Sequence, residues 1–249
     1  MNIERNIKNK MKIFCLHYAG GSSRYFKNLV NLNISNNGNN LTFIPIDLPG
    51  RGSSISSELI HKFDIALKYI YIYIKKKIHK NENFALLGYS MGSVLAIELA
   101  KKFNDNNYKP PNLILMASNT PNNFNFTNLK EINKDEKSII SKIQKLGGTS
   151  KKLLYSQFFQ KKYIPIFKAD FNILISYKSK NTKLRQDVLI INGKNDYIAS
   201  NNYSVWKRFT EGSVQIRKVE GGHFFLNENI NVIESIIKEF LLIRREKNE

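Results

Sequence analysis

A serine hydroxyl becomes a useful nucleophile only when a base takes its proton and donors hold the oxyanion that follows. Gly88-Tyr89-Ser90-Met91-Gly92 has the G-x-S-x-G spacing that presents such a serine. Phe84 to Leu87 reads as a short buried strand, and Val94, Leu95, Ile97 and Leu99 have helical apolar spacing. Ser90 therefore falls at a sharp strand-to-helix turn, where a strained backbone is expected. The glycines lack Cβ atoms and let strand and helix approach closely. The helix N-terminus offers free N–H groups and a positive dipole end beside the hydroxyl. The five residues alone also fit a Gly/Ser turn without chemistry, so the partners matter.

In a site of this kind the acid and the base follow the nucleophile in the order Ser, Asp or Glu, His. Of His17, His61, His79 and His223, only His223 follows Ser90. It sits in Gly221-Gly222-His223-Phe224-Phe225, just after the apolar run Val214 to Val219. Asp196 follows the run Val188 to Ile191 and is the candidate acid. Asp187 precedes that run, at the wrong end of the strand, and Asp170 lies in a helical region. Ser90 would attack, His223 would act as general base, and Asp196 would orient His223 and stabilise its protonated form. The N–H of Met91 is one expected oxyanion donor. Tyr18-Ala19-Gly20-Gly21 follows the early strand Ile13 to Leu16, and the Ala19 N–H is the other.

These residues need a frame. Six short β-branched runs read as strands: 13–16, 41–46, 84–87, 113–116, 188–191 and 214–219. Helical patterns lie between them at 63–78, 91–103, 203–209 and 232–243. Continuous apolar strands alternating with helices predict an α/β fold with a mostly parallel sheet covered on both faces. Asn31 to Asn40 reads as an exposed loop. From Asn119 to about Lys183 the alternation breaks, with helical patterns at 132–146 and 152–178 split by Gly147-Gly148. That stretch is read as a helical lid over the sheet, because it is long for ordinary crossover helices.

The 249 residues, 42% hydrophobic, suit one domain, 1–249, with that lid as an insertion. No apolar run is long enough to span a bilayer. Met1 to Lys10 is basic and Asn-rich and does not read as a secretory signal. The lone Cys15 excludes an internal disulfide. A cytoplasmic monomer without membrane attachment is expected. The net charge of +19 favours acidic partners, although a chain crowded with Lys, Asn and Ile explains much of it by composition. The basic residues read as scattered, and no nucleic-acid motif accompanies them, so no nucleic-acid partner is expected.

Taken together, the motifs resemble the type II thioesterases of nonribosomal peptide and polyketide synthases, members of the α/β-hydrolase superfamily. The resemblance rests on His17-Tyr18-Ala19-Gly20-Gly21, Leu48-Pro49-Gly50-Arg51-Gly52, the serine motif, Leu146-Gly147-Gly148-Thr149, Lys168-Ala169-Asp170-Phe171 and Gly221-Gly222-His223-Phe224-Phe225. It implies an α/β-hydrolase fold, a triad of Ser90, Asp196 and His223, and oxyanion donors at Ala19 and Met91. It implies hydrolysis of acyl thioesters on the phosphopantetheine arm of an acyl or peptidyl carrier protein, regenerating the synthase. No metal and no bound cofactor is called for. Tyr89 stands where the family usually has His, Lys168 where it often has Arg, and His17 where Pro is common. These departures bear on substrate preference. A general fatty-acyl thioesterase or a small-molecule carboxylesterase would share the triad, and a non-catalytic binding protein could share the scaffold.

Overall fold

The computed structural model describes residues 10–32, 34–36, 39–119, 126–179 and 183–242. Seven strands form one sheet: β1 (Lys10–Leu16), β2 (Ile34–Asn36), β3 (Asn39–Ile46), β4 (Phe84–Tyr89), β5 (Asn112–Met116), β6 (Val188–Gly193) and β7 (Val214–Val219). Their order is β2-β3-β1-β4-β5-β6-β7. The six strands from β3 to β7 pair in parallel, and the short β2 joins the edge antiparallel to β3. All six strands read from the sequence are present.

Alternation along each strand sends side chains to two cores. Phe14, Leu86, Leu113, Leu115 and Ile190 pack on one face. Ile13, Cys15, Leu87, Ile114 and Ile191 pack on the other. The first face is covered by α2 (Phe63–Lys75), α3 (Met91–Asp105) and Trp206 of α8 (Tyr203–Phe209), the second by α1 (Lys27–Asn31) and α9 (Ile230–Leu242). Burial on both faces is why these strands read as unbroken apolar runs.

Among the described residues, four consecutive helices lie between β5 and β6: α4 (Thr127–Ile132), α5 (Glu136–Leu146), α6 (Lys151–Leu154) and α7 (Gln157–Ile175). Ile139, Ile143, Leu154, Phe159 and Phe167 from this insertion form a third apolar cluster, packed against Ala19. Each of the two long helical stretches expected here is broken by a capping residue. The Asp135 carboxylate accepts the Ser138 N–H at 2.9 Å, and Ser156 Oγ accepts the Phe159 N–H at 3.2 Å. A cap satisfies the orphan donors of a new helix and so favours a restart over a continuous run. Residues 120–125 and 180–182 of the stretch, and Ile243 of the last helical pattern, lie outside the described residues.

The expected loop at 31–40 is corrected in part: it contains β2 and the start of β3. Edge strands pair through backbone groups, which an Asn-rich composition does not reveal. Asn33, Asn37 and Gly38 lie outside the described residues.

Candidate active site

Ser90 sits between β4 and α3 with φ 53° and ψ −110°. A non-glycine residue at positive φ stores roughly 1–3 kcal/mol of strain, held here by the elements on either side. The Ser90 N–H donates to the Met116 carbonyl at 2.9 Å, tying the turn to β5. A Cβ on Gly88 would collide with the Gly92 carbonyl, and one on Gly92 with the Leu16 carbonyl. Both glycines are therefore steric necessities where helix meets sheet.

His223 and Asp196 arrive on the loops after β7 and β6. His223 Nε2 lies 3.0 Å from Ser90 Oγ, and Nδ1 lies 2.8 Å from Asp196 Oδ2. Both side chains are buried. The two loops are laced by backbone bonds, Lys194 N–H to Val219 C=O at 2.8 Å and Asn195 N–H to Gly221 C=O at 3.0 Å. Burial pushes the Asp196 pKa up. The bond from His223, its charge, and the N–H groups of Ile198 and Ala199 outweigh that, and the carboxyl stays below its usual value. An ionised acid at this place can hold the imidazole with Nδ1 protonated, leaving the Nε2 lone pair facing the serine.

The loop carrying Ala19 leaves β1 beside the start of α3, where Gly92 abuts the Leu16 and His17 carbonyls. Among the described residues, neither the Ala19 nor the Met91 N–H has a backbone acceptor. The next residue, Gly20, has φ 82° and donates its N–H to Asp170 Oδ2 at 2.7 Å. Asp170, on α7, is fully buried and forms a two-pronged pair with Arg51 at 2.5 and 2.7 Å. The Phe167 ring fills the space beside Gly20 that a side chain would need. The insertion thus grips the loop that carries Ala19 directly.

A family model for the thioesterase domain matches residues 11–240. The chain belongs to the thioesterase domain family. As a thioesterase it hydrolyses acyl thioesters. It is 27% identical to the human "S-acyl fatty acid synthase thioesterase, medium chain", over 96% of this chain and 88% of that one. It is 26% identical to the gramicidin S biosynthesis protein GrsT of Aneurinibacillus migulanus, over 98% and 94%. In fold it is similar to ClbQ from the colibactin NRPS/PKS pathway, with a TM-score of 0.82 at 21% identity, covering 93% of this chain and 97% of that one.

Sequence reasoning brought together Ser90, His223 and Asp196, which the thioesterase places in one hydrogen-bonded line. It missed the residues that hold them. The Tyr89 hydroxyl donates to the His223 carbonyl at 2.6 Å and accepts the Phe225 N–H at 3.2 Å. Tyr89 therefore suspends the loop that carries His223. A buried phenol needs a polar partner, which was the signal available. Asn192 steadies the acid loop, accepting from the Ser118 N–H at 3.0 Å and donating to the Ser200 carbonyl at 3.1 Å. Arg51 and Asp170 were visible only as motif residues.

His17 lies buried in the same region. Burial first, and the Arg51 charge second, hold its pKa down to about 4, against the opposing carboxylates of Asp170 and Asp47. An unfolded histidine titrates near 6.5. Between those values the unfolded chain takes up a proton that the folded chain refuses. Stability is therefore expected to fall as pH drops from about 6.5 to about 4, by about 3 kcal/mol in full, and to level off below. Thermal melts across that range should show the slope in the wild type and its loss in His17→Gln. A slope equal in both would refute the assignment.

Proposed function

We propose that this thioesterase acts on acyl groups held on the phosphopantetheine arm of an acyl or peptidyl carrier protein, clearing a synthase of unproductive acyl groups. It does so as a monomer in the cytoplasm, with the whole chain as one α/β-hydrolase domain and the 119–183 insertion as its lid. The observation that carries the chemistry is the line from Asp196 through His223 to Ser90, at 2.8 and 3.0 Å. His223 Nε2 takes the Ser90 proton as Oγ attacks the thioester carbonyl. The Ala19 and Met91 N–H groups receive the oxyanion. The tetrahedral intermediate collapses to an acyl-serine, and the thiol leaves with the proton from His223. Water, deprotonated by His223, then releases the acid. Every group comes from the chain, and the reading draws on no metal or prosthetic group. Likeness over almost the full length to a gramicidin S biosynthesis protein supports the carrier-bound substrate.

The test compares one acyl group on two thiols. An acetyl group on a holo-carrier protein is expected to be hydrolysed with a kcat/KM at least about tenfold above acetyl-N-acetylcysteamine, since docking adds binding energy the small thiol lacks. Equal values would remove the carrier from the reading. A second reading, release of a medium-chain fatty acyl group, is favoured by the 27% identity to the human thioesterase. A steep rise in kcat/KM from acetyl to decanoyl thioesters would select it.

A further inference from the structure

The basic residues are spread along the chain, but the acids that would neutralise them are not. Residues 137–169 hold eight lysines and no Asp or Glu. This stretch is most of α5, all of α6 and about the first two thirds of α7. Lys151, Lys152, Lys161 and Lys162 are exposed, and among the described residues none has a carboxylate partner. Within the same surface, Leu153, Tyr155 and Phe158 are 42%, 60% and 59% exposed. Lys162 Nζ lies 5.3 Å from the Phe158 ring, so apolar and cationic groups share one face. Three large apolar side chains exposed within six residues form a patch, and such patches mark contacts.

The helix before the patch and the turn that follows it border the site. Lys142 of α5 lies over the ring of Tyr197, the neighbour of Asp196, at 5.9 Å. Gly148, between α5 and α6, is pressed against the Phe224 ring beside His223.

We propose that this α5–α7 surface is where the carrier protein docks, an acidic partner face with an apolar anchor seating on Leu153, Tyr155 and Phe158 among Lys151, Lys152, Lys161 and Lys162, with Asp135 and Glu136 bordering it at Tyr155. This rests on the carrier reading above and adds where the carrier sits. An acidic protein fits better than an anionic membrane. Leu153 and Phe158 lie on two helices, the first of a single turn, with Tyr155 between them, and the three form no long stripe to bury in lipid. The surface also lies beside the loops of the acid and the base, where a tethered acyl group must enter.

The experiment uses two variants of the full chain, the charge reversal K151E/K152E/K161E/K162E and, separately, Phe158→Ser. Each is assayed on an acetyl-loaded holo-carrier protein and on acetyl-N-acetylcysteamine. The reversal is expected to raise KM for the carrier substrate by about tenfold or more and to abolish its rise with salt, because rim charges steer encounter. Phe158→Ser should raise the same KM without changing the salt dependence. Hydrolysis of the small thioester should be unchanged in both, which also reports intact folding. Unchanged carrier KM in both variants would overturn the docking face while leaving the carrier reading standing. Wild-type indifference to the carrier would overturn the reading itself. Sedimentation of the wild type with phosphatidylglycerol vesicles, lost in the charge reversal while carrier kinetics hold, would reassign the surface to lipid.

Discussion

Replacing Ser90 with alanine is expected to lower kcat on an acyl thioester by about 10⁶-fold, with the fold intact. The reason is the single route through the site. Ser90 Oγ is the atom 3.0 Å from His223 Nε2, and the imidazole is fixed from its other side by Asp196. With Oγ gone, the base has no proton to take and no acyl-enzyme forms. His223→Ala should cost about as much, and the double variant little more, because the pair acts as one unit. Asp196→Asn should cost less, about 10⁴-fold, since it spoils the tautomer but leaves the nucleophile and base in place. Single-turnover release of thiol measures the loss, and labelling by a fluorophosphonate probe reports the nucleophile. Persistent labelling in Ser90→Ala would place the nucleophile elsewhere.

The second large effect belongs to Asp170. Its carboxylate is fully buried, paired with Arg51, and accepts the Gly20 N–H next to Ala19. Asp170→Asn leaves the Arg51 guanidinium buried without its counter-charge, and such breakage costs about 3–5 kcal/mol. For a chain of this size that is a fall in Tm of roughly 10 °C. Replacing both partners with apolar groups, Arg51→Met with Asp170→Leu, removes the stranded charge and should restore much of the Tm. It should not restore activity. Leucine offers no acceptor to Gly20, the donor loop loses its anchor, and kcat should stay depressed by up to about 10²-fold, the worth of one oxyanion donor. Recovery of both Tm and kcat in the double variant would show that the pair serves stability alone.

The contrast between Asp196 and Asp170 shows what the sequence could and could not disclose. Asp196 was legible because its role is tied to position along the chain, after a strand and between serine and histidine. The strands were legible because burial on both faces leaves continuous runs such as Val188 to Ile191. Asp170 reads from the sequence only as a carboxylate in a helical region, and its partners Arg51 and Gly20 are 119 and 150 residues away. Nothing local announces such a pairing. The helix breaks at Asp135 and Ser156 depend on single capping bonds inside segments whose apolar periodicity runs on. At β2 the pairing is made by the backbone, and side-chain chemistry is silent about it.

Tyr89 carries one more consequence. Its phenol, one residue before the nucleophile, spans the carbonyl of His223 and the N–H of Phe225. The spacing between attacking oxygen and accepting nitrogen is thereby gauged by one rigid side chain rather than by the sum of tolerances through β4 to β7. Ser90 Oγ and His223 Nε2 thus share a common datum at the end of β4.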